Sequence, residues 1–169
     1  MRMAIAGGGV AGSYLAARLA SHIDVEVFDP LALEEIGRDC GWGTNYELFM
    51  HFCRMRDLLP DDYVLAGPYN HRSGPYTFND ACVIHKPRFL LDLRRSAEVT
   101  LRCQRLEQAH GNWDLVVDAT GRCRSLLPRC PERADWMLPC YQVDVESRRM
   151  PDHAAIRRAG VGYLWAFPT

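Results

Sequence analysis

The sequence predicts an α/β fold: a domain built on a parallel sheet, with a partial antiparallel β domain beside it. Three stretches predict it. Residues 1–29 alternate apolar run, glycine-rich turn, helix former and second apolar run. Residues 113–121 form a further buried-type strand ending in a glycine turn. Residues 160–169 form a strand with large aromatics at every second position.

In the first stretch, Met1 to Ala6 is a short apolar run suited to a buried parallel strand. Gly7-Gly8-Gly9-Val10-Ala11-Gly12 follows, and contains G-x-G-x-x-G. In that motif Gly7 permits the tight strand-to-helix turn, Gly9 lets the backbone approach a pyrophosphate, and Gly12 allows close packing of helix on strand. Ser13 to Ala20 is rich in good helix formers, and the start of such a helix offers free N–H groups and a positive dipole end to phosphates. Val25-Glu26-Val27-Phe28-Asp29 reads as a second strand, with Asp29 placed to accept hydrogen bonds from a ribose hydroxyl. The motif alone is a weak signal. Its position after a strand, at a helix start and before an acid-ended strand is the context it requires, and makes the domain Rossmann-like.

Gly37 to Gly43 holds three glycines and reads as a loop whose backbone passes close to something. Thr44-Asn45-Tyr46-Glu47 fits a capping box, with Thr44 as N-cap and Glu47 at N3. Leu48, Phe49, Phe52, Met55 and Leu59 then share one face at helical spacing, which reads first as core packing. Residues 63–85 read as short strands and turns, with Cys82 to His85 as a strand. A helix begins at Pro87 and runs to about Arg95, with Phe89, Leu90 and Leu93 as its apolar positions. Glu98 to Leu101 reads as a strand. Gln104 to Ala109 and Asn112 to Val117 flank His110-Gly111, which predicts a hairpin.

Trp113 to Gly121 ends in Asp-Ala-Thr-Gly. Ligands of open α/β sheets lie at the carboxyl ends of strands, and Gly121 would let this end approach the same dinucleotide. Together with the first stretch it favours FAD over NAD. Residues 122–135 read as a connector, Met137 to Glu146 as a loose strand, and Pro151 to Arg158 as a turn or short helix. In the last stretch, alternation places Tyr163, Trp165 and Phe167 on one face.

Composition narrows the classes. The chain has 169 residues, 48% of them hydrophobic and 24% charged, ordinary for a folded protein. A formal net charge of −1 argues against an electrostatic nucleic-acid binder. No apolar run approaches the roughly 20 residues of a membrane span, and the first strand begins almost at Met1, so a cytoplasmic location without a signal peptide is expected. The seven cysteines contain no C-x-x-C pair, which argues against a disulfide framework or zinc site and for small buried apolar residues. The histidines show no metal-ligand spacing, so no metal is expected.

The order GGGVAG, acid-ended strand, Cys40-Gly41, KPRFLLDL, DLVVDATG and Tyr-x-Trp-x-Phe-Pro resembles the geranylgeranyl reductases. These belong to the flavoproteins built like p-hydroxybenzoate hydroxylase. The resemblance covers essentially the whole chain. It implies FAD as cofactor, with NADPH or another reductant as electron donor. It also implies a prenyl lipid as substrate and peripheral contact with a membrane. By the resemblance, Gly7, Gly9, Val10, Ala11 and Gly12 match the pyrophosphate loop and Asp29 the ribose acid. Arg88 matches an arginine that contacts the cofactor, and Ala119, Thr120 and Gly121 a second flavin-contacting segment. Cys40 matches a cysteine beside the flavin and the substrate double bond, and Tyr163, Trp165 and Phe167 the lining of an isoprenoid cavity.

Family members continue past the Phe-Pro, through a Gly-x-Gly and a Gly-Asp segment, so the chain is expected to be the front portion of a longer enzyme. The expected division is an FAD-binding domain of 1–59 and 82–127 and a partial substrate domain of 60–81 and 128–169, its sheet left with an open edge. The implied reaction is reduction of isolated C=C bonds in prenyl chains, with Cys40 positioning or protonating the substrate carbon. The alternative for Cys40 is a small packed residue in a glycine loop. Two other readings stay open: another flavoenzyme of the superfamily (hydroxylase, halogenase or carotenoid-modifying), or a non-catalytic nucleotide-binding remnant.

Overall fold

A computed structural model describes residues 1–32, 35–36, 42–73, 76–106, 112–127, 146, 155–159 and 162–166. The chain divides into two units, Met1–Arg38 with Leu90–Tyr141, and Asp39–Phe89 with Gln142–Thr169. The architecture is α/β.

The first unit holds β1 (Arg2–Ala6), α1 (Val10–Leu19) and β2 (Asp24–Phe28) in immediate succession. Among the described residues its sheet is completed by two later strands. Residues 100–102 run parallel to β2 at one edge, and residues 115–118 parallel to β1 at the other. β1 therefore lies inside the sheet, and its Met3, Ala4, Ile5 and Ala6 are all buried. An unbroken apolar run suits that place, because both faces of such a strand are covered. Met3, Ile5, Ala16, Val25 and Val27 form the core of this unit, with Leu15, Leu19, Val117 and Ala119 packed against them.

The second unit begins with β3 (Gly43–Asn45), runs directly into α2 (Tyr46–Arg54), and continues as a long hairpin of β4 (Val64–Ser73) and β5 (Tyr76–Ile84). Among the described residues these strands form an antiparallel sheet in the order β3-β5-β4. Phe49, Tyr63 and Phe89 pack edge to face, their ring centroids 5.0 to 6.3 Å apart. That is the separation at which aromatic quadrupoles attract. Cys53 and Cys82 are buried and free. Burial, and for Cys53 the nearby Cys82, pushes their thiols up to about 12 and about 11. They act as small apolar residues, whereas Cys103 and Cys123 are exposed.

Helix α3 spans Lys86–Ser96, close to the predicted bounds. β6 (Thr100–Arg102) and β7 (Leu115–Asp118) follow it. Of the predicted hairpin of 104–117, residues 107–111 lie outside the described residues. Residues 115–118 pair parallel with β1 at the sheet's edge, half-buried from Val116 to Asp118 and exposed at Leu115. The chain closes with β8 (Ala155–Ala159) and β9 (Gly162–Ala166), paired antiparallel with Ile156 opposite Trp165 and Arg158 opposite Tyr163. Residues 155–158, expected as turn or helix, are thus strand, because β9 supplies a pairing partner. The predicted strand 137–146 falls, apart from residue 146, outside the described residues.

The capping box is displaced by one residue. Thr44 is spent in β3 opposite Cys82, and Asn45 caps α2, its side-chain oxygen accepting from the Leu48 N–H at 2.9 Å. Asparagine is at least as good an N-cap as threonine. α2 ends at Arg54, so its buried positions are Phe49 and Cys53, and the expected core residues Leu48 and Leu59 are exposed.

Candidate functional site

The carboxyl ends of the parallel strands are tied together by main-chain hydrogen bonds. Gly7 N–H donates to the Phe28 carbonyl at 2.7 Å, Ala119 N–H to the Ala6 carbonyl at 2.7 Å, and Asp29 N–H to the Arg102 carbonyl at 3.1 Å. The first two bonds bring the glycine turn, the acid after β2 and the Ala119-Thr120 segment after β7 to one edge. After β1 the chain crosses to β2 on one side, while β7 adds on the other, so the ends of β1 and β7 form the switch point of this open sheet. That is where ligands of such sheets bind.

The turn itself is tightly built. Gly7 has φ +100, and a side chain there would meet the main chain of Ala119 and Thr120, with Thr120 N at 2.9 Å. Only glycine combines that dihedral with that proximity. A side chain at Gly12 would run into the Gly7 carbonyl and come within 3.3 Å of Ile5, so helix and strand touch through hydrogen atoms alone. Gly9 is different. Nothing lies within 4 Å of where its side chain would be. The turn is therefore closed beneath and open at Gly9.

Gly9 is the N-cap residue of α1 and gives it no side-chain cap, and no acid occupies the first turn. The N–H groups at Val10, Ala11 and Gly12 thus open the helix with no side-chain cap and no acid in its own first turn. Asp29 is buried, and its two carboxylate oxygens accept from Gly8 N–H at 2.7 Å and Leu31 N–H at 2.9 Å. Each oxygen has a second lone pair left for a ribose hydroxyl. This donor set, open space over a helix start beside a buried acid, fits the pyrophosphate and ribose of a dinucleotide such as FAD.

The segment after β7 is shaped by Asp118. Its Oδ1 accepts from the Thr120 hydroxyl at 2.6 Å and the Thr120 N–H at 3.0 Å, and its Oδ2 from the Leu126 N–H at 2.8 Å. The Thr120 hydroxyl oxygen accepts in turn from the Ser125 N–H at 2.9 Å. Partial burial raises the Asp118 carboxyl, but these bonds together with Leu127 N–H outweigh it and hold the group below the ordinary carboxylate range. The aspartate fixes the Ala-Thr-Gly turn. Gly121, with φ +62, faces open space.

Of the residues singled out in the sequence, Gly7, Gly9, Val10, Ala11, Gly12, Asp29, Ala119, Thr120 and Gly121 share the first unit. Arg88 lies in the second, at the start of α3, with its guanidinium 5.6 Å from the centre of the Tyr63 ring and its N–H donating to His85 Nδ1 at 3.2 Å. Tyr163 and Trp165 lie on β9 of the second unit. Cys40 and Phe167 lie outside the described residues.

Sequence reading missed Arg94. It is 2% exposed, and its Nη1 donates to the Gly8 carbonyl at 2.7 Å and the Ser13 hydroxyl oxygen at 3.0 Å. A signal was present. Arg94 falls on the α3 stripe of Leu90, Leu93 and Ala97, all buried, where a charge has no place unless something receives it.

No protein-family model and no curated protein matches the chain. Solved structures to which it is similar include CmlS, a flavin-dependent halogenase, at 23% identity and TM-score 0.39, over 60% of this chain and 22% of that one. A second is a geranylgeranyl bacteriochlorophyll reductase-like protein from Thermoplasma acidophilum, at 17% and 0.40, over 59% and 29%. A third is the Diels-Alderase PyrE3 of pyrroindomycin biosynthesis, at 22% and 0.40, over 60% and 24%. The matched part of this chain spans less than a third of the length of each.

Proposed function

We propose that the first unit binds FAD, and that the chain serves an FAD-dependent oxidoreductase resembling geranylgeranyl reductases, reducing isolated C=C bonds of prenyl chains. The observation that carries the nucleotide part is the start of α1, without a side-chain cap or an acid in its own first turn, open at Gly9 and flanked by Asp29 and the Ala119-Thr120 turn. The prenyl part rests on the resemblance at Cys40-Gly41 and at Tyr163 to Pro168.

FAD, when bound and reduced by NADPH or another donor, supplies the hydride for such an alkene. The chain's own residues have the remaining tasks. Gly9, Val10, Ala11 and Gly12 take the pyrophosphate, Asp29 the ribose, and Ala119 to Gly121 the second segment of the cofactor. The resemblance adds Arg88 as a match to a cofactor-contacting arginine. By the resemblance, Tyr163, Trp165 and Phe167 would line the path of a prenyl lipid and keep water out, and the Cys40 thiol would position the substrate carbon or give it a proton.

The test is to purify the 169-residue chain, desalt it, record its visible spectrum and identify any released cofactor by mass. Flavin bands with FAD released are expected. A folded but colourless chain that takes up no added FAD would overturn the reading. With FAD in place, reduction of a prenyl lipid in the presence of a reductant tests the substrate, and undiminished reduction by Cys40→Ala would remove that thiol's role.

A further inference from the structure

Arg94 is an anomaly as a structural residue. It is the largest fully buried side chain among the described residues, and two of its nitrogens, Nε and Nη2, have no hydrogen-bond partner there. Buried guanidinium N–H groups are costly to leave unmatched, and a buried cation more so. Burial pushes its pKa down, and the charge of Asp29 only partly restores it. Nor is the turn short of partners without it. The Gly8 carbonyl also accepts from the Ser13 hydroxyl at 2.7 Å, and Asp29 is held by Gly8 and Leu31 N–H. An apolar side chain of similar length would leave no acceptor of the turn orphaned, since the Ser13 hydroxyl still bonds the Gly8 carbonyl, and its cost would lie in taking the countercharge from the buried Asp29.

What the arginine does supply is a positive charge fixed beside the start of α1, which has no side-chain cap and no acid in its own first turn, and where it offsets the Asp29 carboxylate held on the Gly8 N–H. Its Nη1 lies 3.3 Å from the side-chain position of Gly8, the residue before the open Gly9. In a dry surrounding such a charge is weakly screened and acts over several ångströms. We propose that Arg94 is a positioning residue for an anion: its guanidinium, fixed on the Gly8 carbonyl and the Ser13 hydroxyl, holds a buried charge behind the turn that offsets Asp29 and raises affinity for the diphosphate of a bound dinucleotide. This deepens the nucleotide-binding reading and rests on it.

The experiment compares the full chain with Arg94→Met and Arg94→Lys. ADP binding is followed by calorimetry, adenosine binding by ligand-observed NMR, and stability by urea unfolding. Arg94→Met should weaken ADP binding about tenfold or more and leave adenosine binding unchanged, with the unfolding midpoint lowered by the loss of the Asp29 countercharge but the chain still folded. Arg94→Lys, which keeps the charge, should recover most of the ADP affinity. Equal loss for ADP and adenosine, or ADP binding by Arg94→Met as tight as by the unaltered chain, would overturn the proposal while leaving the nucleotide site standing. Failure of the unaltered chain to bind ADP or FAD at all would overturn both. If Arg94→Met does not fold, the charge is needed for the fold and the proposal fails on that ground; Arg94→Gln, neutral but polar, checks that outcome independently.

Discussion

Gly9 and Gly12 sit three positions apart in one motif and answer to different demands. An alanine at Gly12 must displace the Gly7 carbonyl, so Gly12→Ala should lose about 1–3 kcal/mol in urea unfolding, as overpacked sites do. An alanine at Gly9 meets nothing, and Gly9 has φ −66, which any residue adopts. There the gain from a stiffer unfolded chain and the loss of a better N-cap are of similar size, so Gly9→Ala should change stability by no more than about 0.5 kcal/mol while weakening FAD binding in a cofactor titration. Asp118 supplies a prediction in pH. Its carboxyl is held below the unfolded value of about 3.9, so its contribution to stability is complete above that value and is lost as pH falls through the lower folded one. Unfolding free energies measured down that acid limb should fall less steeply for Asp118→Asn than for the unaltered chain. The glycines and Asp29 were legible because a turn against a strand leaves a spacing in the sequence. Arg94 was overlooked because its partners, Gly8 and Ser13, are far from it in the chain.

Helix α2 shows how an element can be legible in kind and misread in phase. A helix after Thr44 was readable from the pattern of large apolar residues. Its cap and buried face were not, because the strand pairing of Thr44 with Cys82 depends on a segment far along the chain. The shift has a measurable result. Phe49→Ala removes a ring packed against Tyr63 and Phe89 and should cost about 3–5 kcal/mol in chemical denaturation. Leu48→Ala, at a position 51% exposed, should stay within about 0.5 kcal/mol. β7 teaches the same lesson. Its apolar run identified a strand, but its parallel pairing with β1, a segment more than a hundred residues earlier, leaves no mark in the local sequence.

At the scale of the molecule, the parallel sheet at the start of the chain was readable, since strand, turn, helix and strand follow one another without interruption. The order of its edge strands was not, since β6 and β7 reach it only after the chain has left to build β3, α2, β4 and β5. That arrangement governs how the protein is born. Arg2 and Asp114, hydrogen-bonded in the finished sheet, are 112 residues apart. At ordinary rates of synthesis the ribosome releases the glycine turn on the order of ten seconds before the strand that backs it. Through that interval β1 lacks one neighbour and the turn lacks the Ala119-Thr120 backbone it leans on. The edge formed by the glycine turn and the Asp-Ala-Thr-Gly segment is therefore complete only late, when translation has passed that segment, and until then one side of the nascent β1 has no strand beside it.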